Sequence, residues 1–221
     1  MKTRNALLHI VVAITVLGFV NSSYAAVVYD NGSHISNGIG ASGSNFTADN
    51  FALSSNTVIA GIQWKGLYFN SAWAAVPDNF EIRIYNDDGT GSKPTPLGTA
   101  AYDVLVGLVG RFATGERAFG LPVYQYSATV PAFNAVAGST YWLEVHNNFS
   151  DSVEWYWSID LGTGSDAESP EGGPWFHNHN ETTFKLFNTP VPEPSTFALA
   201  ALGAATLYLA RRAQAQQKAP H

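Results

Sequence analysis

The 221-residue sequence contains no cysteine, which removes disulfides, thiol nucleophiles and thiolate metal sites together. Basic residues are also scarce. Between Asp30 and Glu193 there are six Lys and Arg against seventeen Asp and Glu, a net of −11. A surface of that sign repels phosphate backbones, so nucleic acid is excluded as a partner. No helical periodicity runs through residues 26–190, and no Gly-x-Ser-x-Gly elbow, phosphate loop or metalloprotease helix appears there. The body is therefore expected to be no enzyme and to need no cofactor. What is plentiful is aromatic: 13% of the chain, including six Trp, matches the 13% that is charged. That balance is too apolar for disorder, and the span is long enough for one packed core.

The two ends read as targeting segments. Lys2 and Arg4 precede an apolar run over residues 6–20, and a short polar stretch then reaches Ser23 and Ala25. This is the order of a secretory signal peptide, with small side chains at the −3 and −1 positions that signal peptidase requires. Residues 1–25 are expected to leave as a signal helix, and the mature chain to begin at Ala26. At the other end Val191, Pro192, Glu193 and Pro194 lead into an apolar stretch, 195–210, which Arg211 and Arg212 close. Pro194 suits the first turn of a helix. Sixteen residues span about 24 Å, enough for a transmembrane helix if the arginines snorkel. The paired arginines belong on the cytoplasmic side, which leaves the body outside.

The run from Val191 to Thr196, the Ala/Leu/Gly-rich stretch and the arginine pair together resemble the PEP-CTERM sorting signal. An ordinary C-terminal anchor preceded by a chance Pro-Glu-Pro is the alternative. The resemblance implies export through the inner membrane of a Gram-negative bacterium and a transient stay there. Processing by exosortase near the motif follows, then release to the surface or the extracellular matrix. It also implies company with extracellular polysaccharide and biofilm, so exosortase, signal peptidase and exopolysaccharide are the expected partners.

Between the ends, residues 26–190 are expected to form one antiparallel β-sandwich of jelly-roll type, with eight to ten strands. Period-two alternation places Val58, Ala60, Ile62 and Trp64 on one face, and Phe80, Ile82 and Ile84 on another. Tyr124, Tyr126, Ala128 and Val130 follow the same rule. So do Tyr141, Leu143 and Val145, then Val153, Trp155, Trp157 and Ile159, and lastly Phe184 and Leu186. Gly- and Asp-rich turns separate these runs, and residues 162–174 read as a long loop. Several of these pieces resemble the β domain found ahead of PEP-CTERM tails, a likeness that implies a fold and no activity.

Candidate sites follow from the outward faces. Trp142, Glu144 and His146 alternate with the core residues of one strand, and Tyr156 with those of the next. A hairpin of the two makes an exposed aromatic and acidic patch of the kind that holds sugars. The competing expectation is that this face packs under a loop. A glycan-active enzyme on the same scaffold would need two carboxylates about 5–10 Å apart in a cleft. His177 and His179 share a side of an extended segment but lack a third ligand, so no metal site is expected. Asp87 and Asp88 before Gly89 fit a hairpin turn better than an incomplete calcium loop.

Overall fold

The computed structural model describes residues 25–32, 35–70, 72, 74, 77–107, 109–149, 153–162, 164–191 and 203. Among them are fourteen strands, more than the eight to ten expected, because short pairings such as the two-residue strands at 176–177 and 181–182 carry no alternation to read. They are β1 (Val27–Asp30), β2 (Asn37–Gly40), β3 (Phe46–Ala52), β4 (Thr57–Tyr68), β5 (Phe80–Asn86), β6 (Tyr102–Gly107), β7 (Gly110–Ala118) and β8 (Leu121–Ala135). There follow β9 (Thr140–Asn147), β10 (Trp155–Asp160), β11 (Asp166–Ser169), β12 (Phe176–His177), β13 (Glu181–Thr182) and β14 (Phe184–Phe187). All pair antiparallel in two sheets. One sheet has six strands in the order β12-β11-β3-β9-β5-β6. The other has eight, in which β4 pairs with β8 along one edge and with β14 and then β10 along the other. The expected all-β architecture of antiparallel sheets is thus present, while the proposed signal helix and transmembrane helix lie outside the described residues.

The core between the sheets is aromatic because the inward positions of the longest strands are. Trp64 stacks on Tyr126 at 5.7 Å, and Phe80 sets its edge against Trp64 at 5.0 Å and Trp155 at 4.9 Å. Such pairs add about 0.5–1.5 kcal/mol each to the gain from burial alone. Gly66 on β4 is required by this packing, since a Cβ there would meet the Trp155 ring at 2.2 Å.

Three further expectations are corrected. On β4 the pairing with β8 shifts register between Ile59 and Gly61, and Val58, expected on the core face with Ile62 and Trp64, is 43% exposed while its neighbour Ile59 is buried. Across that shift one residue of β4, Ala60, stands against three of β8, Val130 to Ala132, and such an irregularity bends and twists a strand locally, which re-aims its side chains. The supposed loop over 162–174 contains β11, which extends the six-stranded sheet beside β3. Its pairing sets Asp166 opposite Asp49 on β3, both fully buried. Asp49 accepts hydrogen bonds from the Asn31 side chain (3.0 Å) and the Thr182 N–H (2.5 Å), and Asp166 from the Asn180 N–H (2.8 Å). Two carboxylates thereby fasten the segment around β13 to the sandwich, even though burial pushes both above the usual carboxylate range.

The third correction concerns β9 and β10, which form no hairpin. Both edges of β9 are already taken, by β3 and β5, so the chain crosses to the other sheet before β10 begins.

Candidate functional site

The outward face of the six-stranded sheet does not meet solvent where Trp142, Glu144 and His146 stand. They are 0%, 1% and 3% exposed. Trp142 packs with Tyr85, Ala48, Ala167 and Trp175, and with Leu97 and Ala100 of the segment joining β5 to β6. Its indole N–H donates to Asp87 Oδ2 at 3.0 Å. Tyr156 belongs to the other sheet, so the expected four-residue patch does not assemble. The face packs under connecting segments because those segments carry their own apolar side chains.

Beneath that cover lies a charged cluster centred on Arg83. The β5–β9 register sets Arg83 opposite Glu144 and Tyr85 opposite Trp142, and the β5–β6 register sets Arg83 opposite Asp103. The guanidinium donates to Glu144 Oε1 at 2.5 Å, to Glu81, and to Asp103 Oδ2 at 3.3 Å, while the Tyr85 hydroxyl donates to Glu144 Oε2 at 2.9 Å. Burial raises Glu144 to about 7 against the pull of Arg83. Burial, helped by the Arg83 charge, lowers His146 to about 4, and its ring stacks on Phe46 at 4.6 Å. A hollow of about 280 Å³ opens over Phe46, Arg83, Tyr85, Leu97 and Asp103. The acids of the cluster are all engaged on one cation, which ties β5, β6 and β9 together.

The remaining candidates are simpler. His177 and His179 meet edge to face at 4.7 Å, and His177 Nε2 lies 2.8 Å from Ser165 Oγ. No group of three metal-ligating side chains occurs among the described residues. The Asp87 carboxylate accepts the Gly89 and Gly91 N–H groups at 2.8 and 2.9 Å, so it closes a turn. At the far end of β4, Phe69 lies 5.3 Å from Tyr156 and 6.4 Å from Phe119; of the three rings alternation singles out Tyr156 alone, because Phe69 and Phe119 stand at strand ends.

The chain leaves the sandwich on the outer face of the eight-stranded sheet. Val191 is half-buried there, its carbonyl accepting from the Thr129 hydroxyl at 3.3 Å, and a Cβ on Gly61 would meet its side chain at 2.5 Å. Ala26 lies beside this exit, its carbonyl accepting the Asn188 N–H at 3.2 Å. Ala25 is also described, whereas Ser23, Pro192, Glu193, Pro194, Arg211 and Arg212 lie outside the described residues. Among those described, no helix is long and apolar enough to cross a membrane.

Fold and exit together define a two-sheet β domain whose last strand hands the chain directly to a C-terminal segment. That segment is a PEP-CTERM protein-sorting motif, matched over residues 190–213. The chain is thereby an exported protein addressed to exosortase and anchored in the membrane before processing. No curated protein and no solved structure gives a match.

Proposed function

We propose that the chain is a surface or matrix protein delivered by its two ends, with a non-enzymatic sandwich as its cargo. Signal peptidase removes residues 1–25 and frees Ala26. The tail then holds the body at the inner membrane until exosortase acts near Glu193, after which the body joins extracellular polysaccharide. The observation that carries this reading is the sorting motif beginning at residue 190, three residues after β14 ends. A non-catalytic body is supported by the Arg83 cluster, whose three carboxylates all pair with one guanidinium and of which Glu144 is shut away from solvent.

Fractionation of producing cells with and without exosortase tests the reading. Loss of the enzyme is expected to leave a full-length tail in the inner membrane. Release of the same species to the medium by both strains would overturn it.

A further inference from the structure

We propose that Phe69, Phe119 and Tyr156 form a corner that binds a neutral polysaccharide, which deepens, and rests on, the polysaccharide association proposed above. The corner stands at the ends of three strands: Phe69 directly follows β4, Tyr156 is the second residue of β10, and Phe119 occupies the turn between β7 and β8. Phe69 and Phe119 are 50% and 55% exposed. Tyr156 tilts against Phe69 at 31°, and Phe119 stands nearly perpendicular to Phe69 at 71°, so the rings offer a floor and a wall. Leu67, Ala118 and Val123 are buried behind them, which makes the base rigid.

Phe119 is held out at a conformational cost. Its φ is +51° and that of Gly120 is +75°, the geometry of a tight hairpin turn in which Asn-Gly is the favoured pair. A bulky side chain rarely adopts that region, and strain of this kind collects at functional positions. Arg117 donates to the Gly120 carbonyl and pins the turn.

The chemistry selects the ligand. Aromatic faces stack on the apolar C–H faces of sugars, and the exposed Glu154 carboxylate, 3.5 Å from the Tyr156 hydroxyl, accepts from sugar hydroxyls. With seventeen acids against six bases between Asp30 and Glu193, the body repels acidic polymers, which leaves neutral glycans. The anchoring bilayer is the wrong occupant. The tail leaves beside Gly61, and eight residues of extended chain put Phe69 about 25 Å further along β4.

Affinity electrophoresis of the mature protein in native gels containing hydroxyethylcellulose, with alginate as the acidic control, tests the corner. The wild type is expected to be retarded by hydroxyethylcellulose alone. Phe119→Gly removes the ring and relieves the turn, so it should bind about tenfold more weakly while melting no lower than the wild type. Phe69→Ala should weaken retardation to a similar degree. An unretarded wild type, or a Phe119→Gly protein retarded equally, would overturn the proposal. So would a concentration-dependent dimer in sedimentation that Phe119→Gly abolishes, since the corner would then belong to a second copy. Normal tail processing alongside failed binding would remove only the corner, whereas failed processing would remove the delivery scheme.

Discussion

Glu144 and His146 are two positions apart on β9, and burial drives their proton affinities in opposite directions, to about 7 and about 4. The sign of each effect on stability follows. Glu144 holds its proton more tightly folded than unfolded, so its contribution is complete below its ordinary 4.5 and is lost as pH rises to about 7. His146 holds its proton less tightly when folded. Its contribution is complete above its ordinary 6.5 and is lost as pH falls to about 4. Each amounts to roughly 3 kcal/mol, and over this window the two largely cancel. Urea unfolding at pH 4.5 and 7 should therefore show Glu144→Gln gaining stability relative to wild type as pH rises, and His146→Gln losing it. Parallel pH profiles for all three proteins would contradict the assignment. Trp142, at 0% exposure, belongs to the same packed face, so Trp142→Ala should cost about 3–5 kcal/mol, read as a lowered urea midpoint. A near-neutral effect would show that the cover over β9 is not packed.

Strand β4 shows how much of the fold was legible and where legibility stops. Ile62 and Trp64 face the core as alternation predicts, and so do Phe80, Ile82 and Ile84 on β5 and Phe184 and Leu186 on β14. Before Gly61 the rule fails, because nothing in an alternating sequence marks the irregular pairing with β8 there. Strand β11 was missed for another reason. Its inward residue is Asp166, and burial of a carboxylate is affordable only because the Asn180 N–H arrives from fourteen residues away. The Arg83 cluster was half-visible: Glu144 and His146 stood out, but Arg83 joins them through strand pairing that spacing alone does not reveal. The same strands supply sharp tests. Gly66→Ala should cost at least about 1–3 kcal/mol by driving a methyl into Trp155, measured by thermal melting. Phe119→Gly should gain about 1 kcal/mol by removing a strained φ. A destabilised Phe119→Gly protein would mean that the ring contributes more through packing than its backbone costs.

At the scale of the molecule, entry and exit coincide. Strand β1 pairs with β14, so the chain that begins the sandwich beside Ala26 lies against the chain that leaves it at Val191. Both ends thus emerge from one region of the eight-stranded sheet, and a body tethered by its tail hangs from that region. Replacing Pro192 and Pro194 by Ala should block processing while preserving membrane insertion, because the apolar run and the paired arginines that set topology are untouched. The variant should accumulate in the inner-membrane fraction, and its normal release would show that the prolines are dispensable. The most direct test of the sorting assignment is the intact mass of the surface form from a strain with working exosortase. The account predicts a species that starts at Ala26 and lacks residues 195–221, whereas a surface form still ending at His221 would contradict it.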